Sequence, residues 1–379
     1  MKVLFVCNNV FVTGNGVSTS IRQTIKALKD AGLDVRLMCG ENPNYEGPEP
    51  DYILKRFHFP IFQPIIDRNC FSFAVSDKKL IRQAVEWADI IHLAEAMPLE
   101  MDVLNVAEEM GKPSVATFHM FTQNIYYNIF KCIGEWKAGN HILMRIWRDK
   151  VFDRCSHIQC PTEVVKAYLE RWHFKAELHT FSNGTVLDGP AKASNPGTSP
   201  YRILCIGRFA SEKSQETLIK AMRYSRHSTE IQLHFAGKGA GLRKYERMCS
   251  ELLEKGILKH PAIFGFYGSK KLLEISRDAY LYIHCANIEV EGLSCLEAMG
   301  QGAVPVIAEA PLAATSSFAL CEQSRYKFGD SRALASRIDW WIEHPEERQR
   351  MSLEYAESAR THSLQNSAAK LIEMYNQAL

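Results

Sequence analysis

Short apolar runs alternate along this chain with longer amphipathic stretches. Val3–Cys7 is an apolar run closed by polar turn residues, which predicts a buried parallel strand. The loop Val12-Thr13-Gly14-Asn15-Gly16 follows it. Ser18–Asp30 then sets Ile21, Ile25 and Leu28 on one helical face. The alternation continues with strands predicted at Val35–Cys39, Ile53–Phe57, Asp89–Leu93, Ser114–Phe118, His157–Cys160 and Glu177–Thr180. Helices fit at Lys78–Trp87, Glu100–Met110 and Glu163–Trp172. Strands separated by helices argue for an open parallel sheet.

The pattern breaks at Asp188–Pro200, where Pro190, Pro196, Pro200, Gly189 and Gly197 predict a linker. It then restarts. Strands are predicted at Arg202–Ile206, Ile231–Ala236, Ala262–Phe264, Tyr280–His284 and Val304–Ala308, with helices at Gln215–Met222, Leu242–Lys255, Glu346–Thr361 and Leu364–Ala378. The expectation is an α/β chain of two Rossmann-like, doubly wound domains in tandem, residues 1–187 and 201–361 around a linker at 188–200. Ligands in such sheets lie beyond the carboxyl ends of the strands, so an interdomain cleft is the expected home of a small-molecule site.

Composition narrows the function classes. The 379 residues, 46% hydrophobic and 23% charged, suffice for two cores. A formal charge of +2 gives no whole-protein field for nucleic acid, and no nucleic-acid partner is expected. The eleven cysteines form no CxxC pair and read as buried thiols of a reducing compartment. The first apolar run is too short for a signal-peptide core, and no stretch approaches the ~20 apolar residues of a membrane span. A cytoplasmic location is expected, with peripheral attachment to the inner face of the membrane left open.

The strongest local chemistry lies at Glu289-Val290-Glu291-Gly292-Leu293-Ser294-Cys295-Leu296-Glu297. Gly292 permits a tight turn, and a helix starting near Leu293–Ser294 would aim its first N–H groups at an anion. Glu289, before the turn, and Glu297, about two helical turns inside, can bind different hydroxyls of one extended ligand. An ordinary capped helix with surface carboxylates fits the same residues. Arg208 and Lys213 leave the strand Arg202–Ile206 directly and can neutralise a diphosphate; a solvated loop with an Arg208–Glu212 pair is the other reading. Gly14-Asn15-Gly16 is a GxG without the third glycine of a dinucleotide site. His119, just past Ser114–Phe118, is placed to donate to a sugar hydroxyl or to serve a structural role. The chain has no DxD, Walker A, GxSxG or HExxH, so no metal site is expected.

In this order the segments resemble the family-4 retaining glycosyltransferases of the GT-B fold over nearly the whole chain. The resemblance rests on the glycine loop, His119, Ser182-Asn183-Gly184-Thr185, Gly207-Arg208…Lys213, Ala236-Gly237-Lys238-Gly239, Phe264-Gly265-Phe266-Tyr267-Gly268, Glu289-x7-Glu297 and Pro305-Val306-Ile307. It implies that the helix over 362–379 packs back on the first domain. It also implies that Arg208 and Lys213 hold the donor diphosphate, Glu289 the sugar hydroxyls and Glu297 the ribose. The Gly292, Leu293 and Ser294 amides would touch sugar or phosphate, and Gly237 would belong to the donor site. Phe266 and Tyr267 would flank the base. Gly14 and Gly16 would let backbone approach phosphate and acceptor, and His119 would contact the sugar. The implied chemistry is metal-independent transfer with retention from a nucleotide-diphosphate hexose, UDP favoured, without a further cofactor. The chain departs from the family pattern at Cys285-Ala286, where Pro-Ser is usual, at Glu291, which is either a third acid near the sugar or, as the leading expectation, a solvent-facing substitution, and over Leu312–Leu320, which lacks a glycine-rich sugar loop.

Two stretches bear on the acceptor. Phe57–Ile66 is apolar and broken by Pro60 and Pro64, with Phe59 and Phe62 inside it. Phe121–Arg154 interleaves Tyr126, Tyr127, Trp136, Trp147 and Phe152 with Lys131, Arg145, Arg148 and Arg154. Aromatics beside basic residues suit an anionic lipid interface; an amphipathic helix packed on the sheet fits as well. A lipid acceptor such as diacylglycerol, ceramide or a lipid-linked glycan is the leading expectation. A soluble or polysaccharide acceptor is the alternative, and a GT-B epimerase, a phosphorylase-like enzyme and a catalytically silent sugar-nucleotide-binding protein are rivals of other classes.

Overall fold

The computed structural model describes residues 1–379 except 9, 12–15, 42–49, 61–62, 64–71, 130–136, 188 and 199, and except the side chains of 126–129. Gly14, Phe62 and Lys131 therefore lie outside the described residues, and Tyr126 and Tyr127 are described by backbone alone. The chain folds as two compact units, Met1–Gly184 with Leu364–Leu379, and Thr185–Ser363.

In the first unit the strands are β1 (Lys2–Val6), β2 (Asp34–Gly40), β3 (Tyr52–Leu54), β4 (Ile90–Leu93), β5 (Ser114–Thr117), β6 (His157–Cys160) and β7 (Glu177–Thr180). They pair in parallel in the order β3-β2-β1-β4-β5-β6-β7. Val3, Leu4, Phe5 and Val6 of β1 are all buried, because a central strand covered on both faces has no polar side to show. The final helix, Leu364–Ala378, contributes Ala368, Leu371, Met374 and Tyr375 to the same core as Val3, Phe5 and Ile21.

The second unit repeats the plan with β8 (Tyr201–Ile206), β9 (Ile231–Ala236), β10 (Ile263–Gly265), β11 (Leu281–His284), β13 (Val304–Glu309) and β15 (Arg325–Lys327), in the order β10-β9-β8-β11-β13-β15. A separate two-stranded ribbon joins β12 (Ile288–Glu289) to β14 (Leu312–Ala313). In both sheets the strand order reverses once, between β1 and β4 and between β8 and β11. At such a switch point the connections leave in opposite directions and open a crevice for ligand.

Most predicted elements recur within a residue or two of their expected ends, the ordinary latitude of helix and strand boundaries. Ile53–Phe57 ends earlier, at Leu54; Phe57 instead donates its backbone N–H to the Phe73 carbonyl at 2.7 Å. The helix Ser331–Glu343 was not predicted. Asp330 caps it by accepting from the Arg332 and Ala333 amides, and it buries Leu334, Ile338 and Trp341. The described cysteines are free thiols, all buried except half-buried Cys321.

The basic, aromatic segment looks different in space. Trp147 and Phe152 are core residues. Arg148 turns inward, donating to the Trp172 carbonyl at 2.9 Å and pairing with Asp149 at 2.8 Å, and Arg154 pairs with Glu108 at 2.7 Å. Arg148 is thus spent on the fold rather than offered to an acceptor or a membrane. Phe59 is held edge-on between Phe57 and Phe73. The helix Lys137–Lys150 exposes Ile142 and Ile146 together with Lys137, Ala138, His141, Arg145, Asp149 and Lys150.

Candidate active site

The switch point of the second sheet gathers the candidate residues. From β8 the chain passes through Gly207 into a short 3-10 turn, Ser211–Lys213, and from β11 it passes through Asn287 into β12. The Asn287 amide donates to the Glu212 carbonyl at 2.9 Å, which stitches the two loops together. This brings Lys213 and Glu289, 76 residues apart in sequence, into a direct ion pair between the ammonium and a carboxylate oxygen, each side chain only 19% exposed. Burial alone would raise the Glu289 pKa. The Lys213 charge and the His284 hydrogen bond outweigh it and hold the carboxyl down at about 2. Arg208 pairs at 2.7 Å with Glu212, which is itself buried. Arg208 and Lys213 thus stand just past the carboxyl end of β8, each paired with a carboxylate.

Behind the ion pair runs a polar chain that sequence reasoning missed. His284, the last residue of β11 and buried, sets its Nε2 at 3.4 Å from Glu289 and 3.3 Å from the Thr315 hydroxyl. Its Nδ1 lies 3.1 Å from the Tyr282 hydroxyl, which lies 3.0 Å from Ser294 Oγ. Burial lowers the His284 pKa, so the ring is neutral at pH 7. In this network Tyr282 O–H donates to Nδ1, and the Nε2–H points to Glu289. A histidine in a short strand followed by a carboxylate five positions on carries no recognisable motif, although the period-2 spacing of Tyr282 and His284 put both on one face of β11.

Gly292 initiates the helix Leu293–Gly300 with φ 90°, a conformation that favours glycine, and a Cβ there would fall 2.4 Å from the Thr315 hydroxyl. The first-turn amides of Leu293 and Ser294 have no intrahelical partner and face an anion favourably. Glu297 sits four residues beyond Leu293, one turn into the helix rather than two. Burial pushes its carboxyl up to about 7, against the opposing Thr185 hydroxyl. Glu291 is not solvent-facing: it is 2% exposed, and its carbonyl accepts from Thr315 at 3.0 Å. The segment after β13 supplies Thr315 from a 3-10 turn, Ala314–Phe318, in place of a glycine-rich loop.

Gly237 has a packing reason to be glycine, since a Cβ would lie 2.0 Å from the Gly207 carbonyl oxygen. Phe266 exposes its ring, with the Lys238 ammonium 4.6 Å from the centroid. Tyr267 is turned back onto Gly265, its hydroxyl 2.9 Å from His234 Nε2, so of the pair only Phe266 presents an open ring.

In the first unit, His119 lies just past β5. Burial pushes its pKa down to about 4, leaving a neutral ring. Gly16 is the first residue of the helix Gly16–Asp30. A further cluster, unpredicted, lies at the switch point of this sheet: Asn8 Nδ2 donates to Glu95 at 3.1 Å and to Glu100 at 3.1 Å, and burial raises the pKa of both carboxyls.

Glu297 yields a pH prediction. With its pKa raised to about 7 from an ordinary value near 4.5, the folded protein binds this proton more tightly than the unfolded chain, so its contribution to stability falls as pH rises between those values. A ligand diol needs the carboxylate as acceptor. On the ribose-binding role that the resemblance implies for Glu297, UDP affinity is expected to strengthen about tenfold from pH 6 to pH 8, following ionisation of a group near pH 7, and Glu297→Gln should flatten that dependence in calorimetric titrations. An equally steep dependence in the variant would assign it elsewhere.

Comparison with known proteins gives the family. Residues 14–188 match the family described as Glycosyltransferase Family 4, and residues 191–358 match Glycosyl transferases group 1. The phosphatidyl-myo-inositol mannosyltransferase of Mycobacterium leprae is 25% identical over 393 aligned positions, covering 99% of this chain and 96% of that protein. Among solved structures, the sucrose-phosphate synthase of Thermosynechococcus elongatus superposes with a TM-score of 0.72 at 17% identity, covering 99% of this chain and 98% of that one. The Anabaena protein HepE in complex with UDP and glucose gives 0.71 at 16% identity, covering 99% of each chain. With two family matches in tandem, a relative along the full chain and the same doubled parallel sheet, this chain belongs to family 4 of the GT-B glycosyltransferases.

Proposed function

We propose that this glycosyltransferase is retaining and metal-independent, and that it moves a hexose from a UDP-sugar to a hydroxyl of a membrane lipid. The observation that carries the reading is the Lys213–Glu289 pair, braced by His284 at the switch point of the second sheet. In the reaction, the bond from the sugar's C1 to the diphosphate oxygen breaks. The acceptor oxygen bonds to C1 on the face the leaving group vacates, and its proton passes to a departing phosphate oxygen. Lys213 and Arg208 stabilise the charge that develops on that diphosphate, as preorganised donors in a partly buried site do. Glu289 orients the sugar hydroxyls and Glu297 the ribose. The Gly292–Ser294 turn presents its amides, Phe266 its ring to the base, and Gly237 keeps the neighbouring loop close. His119 acts on the sugar as a neutral donor. UDP is favoured because HepE and another structure of this fold, the pneumococcal O-GlcNAc transferase GtfA, were solved with it.

Two observations favour a lipid. The full-length relative is named for transfer to phosphatidyl-myo-inositol. In addition, the helix Lys137–Lys150 exposes Ile142 and Ile146, at 58% and 43%, beside exposed Arg145 and Lys137, a pairing suited to an anionic interface. None of the described helices is long and apolar enough to cross a membrane. The test is a panel of nucleotide sugars against lipid extracts and soluble glycans, with products identified by mass spectrometry and their anomeric configuration by NMR. An α-hexosyl lipid formed from an α-linked donor in EDTA is expected; inversion, a metal requirement or transfer to soluble glycans alone would overturn the reading. In flotation with anionic vesicles, Ile142→Glu with Ile146→Glu should weaken binding at least about tenfold, given ~1.5–3 kcal/mol per fully buried isoleucine.

A further inference from the structure

A second cluster lies at the amino-terminal ends of the strands in the first unit, at the opposite end of that sheet from His119. His157 opens β6, and Glu177 and His179 lie on β7, the adjacent edge strand. The register pairs His157 with Glu177 and Gln159 with His179, so all three side chains rise from one face of the sheet. His157 Nδ1 and His179 Nε2 are 2.8 Å apart. Glu177 reaches each of them at 3.7 Å, with a different carboxylate oxygen for each. The three donor groups lie within 4.8 Å of one another.

We propose that His157, Glu177 and His179 bind a divalent transition metal, zinc by preference, that ties the edge strand β7 to β6. Two ring nitrogens at 2.8 Å share one proton, and an ion placed between them replaces it with two bonds. Zinc bound at ~2.0–2.1 Å in tetrahedral geometry holds its ligands about 3.3–3.4 Å apart. The rings stand 2.8 Å apart and each is 3.7 Å from one of the two Glu177 oxygens, with one donor atom from each residue within 4.8 Å of the others, so side-chain rotation closes the site. Two imidazoles and one carboxylate are a borderline donor set that favours zinc, cobalt or nickel over magnesium or calcium. The imidazoles are largely covered, with side-chain exposures of 10% and 18%, while Glu177, at 65%, leaves an open side for a fourth, water ligand. The Glu177 charge offsets the cation, and Glu373 adds to the negative field while Lys166 opposes it. The cluster carries no linear signature because its ligands come from two strands joined by a helix and loop.

The test is titration of the metal-free full chain with zinc by calorimetry and with cobalt by visible absorption. One equivalent should bind, with cobalt giving tetrahedral d–d bands and no sulfur charge-transfer band, since the described thiols are not part of the site. His157→Ala and His179→Ala should each weaken binding at least about tenfold. Glu177→Gln alters an exposed side chain, so it should weaken metal binding while leaving the melting temperature in EDTA unchanged, which separates ligation from folding. Zinc should raise the melting temperature of the wild type and not of the double histidine variant. Absence of stoichiometric binding, a thiolate band, or equal affinity in all variants would overturn the proposal.

Discussion

Lys213→Ala is expected to lower kcat for sugar transfer by about 10²–10³-fold, the scale on which removal of one preorganised charge-stabilising donor acts. The physical basis is that Lys213 is the cation held at the carboxyl end of β8 with Glu289 as its counterion, both largely covered. Truncating Lys213 has a second consequence. Glu289 owes its low pKa, about 2, to Lys213 and His284 together. Because that pKa lies below the ordinary carboxylate value, the pair's stabilising contribution is complete above pH 4.5 and is lost as pH falls toward 2. Without Lys213 the carboxylate is left partly buried and under-compensated, and the variant should melt lower at neutral pH. A loss of activity could then be mistaken for a loss of fold. Glu289→Gln in the Lys213→Ala background removes the stranded charge, so the double variant should recover thermal stability and stay inactive. Recovery of transfer along with stability would show that the pair is structural and would contradict the roles given to both residues.

The central strands were legible because burial on both faces writes itself as continuous apolar sequence, as in Val3–Val6 and Tyr280–His284. The edges were less so. β15 is only three residues long, and its sequence, Arg325-Tyr326-Lys327, alternates rather than running apolar. The helix Ser331–Glu343 could have been found from the Asp330 cap followed by Leu334, Ile338 and Trp341 at helical spacing. For the candidate site, glycine and charge positions at the ends of predicted strands singled out Arg208, Lys213, Glu289, Gly292 and Glu297. Sequence offered the Arg208–Glu212 pair, four residues apart, but not the Lys213–Glu289 pair, whose partners lie 76 residues apart. Arg208 and Arg148 look alike in a linear reading, yet Arg208 stands at a strand's carboxyl end while Arg148 is folded against Asp149 and the Trp172 carbonyl. Glu291 misled for a related reason: an acid in a turn suggests solvent, and only the packing of the Thr315 turn against that loop shows it buried. His284, Tyr282 and Thr315 were invisible because their importance is relational, set by β11 and the segment after β14 meeting behind Glu289.

That relation gives the second large effect. His284→Ala is expected to lower kcat by about 10²-fold, although the histidine acts through Glu289 rather than on the sugar. Its Nε2 reaches the same carboxylate oxygen that Lys213 pairs with, and its Nδ1 ties it through Tyr282 to Ser294 at the start of the helix Leu293–Gly300. Removing the ring leaves space behind Glu289 and lets it move off the sugar hydroxyls, and a displacement near 1 Å is enough for a loss of this size. A positioning role and a merely structural one differ in what else changes. If His284 positions Glu289, UDP, which lacks the sugar, should bind within about threefold of wild type while kcat collapses, since a structural defect at the strand end would weaken both. Glutamine can place an amide N–H near the same point, so His284→Gln should recover roughly tenfold of the lost rate. Tyr282→Phe should cost less than His284→Ala, and combining the two should add little, because both act through one chain of hydrogen bonds. Full additivity, or a parallel loss of UDP affinity in His284→Ala, would remove His284 from the catalytic arrangement and return it to the core of the sheet.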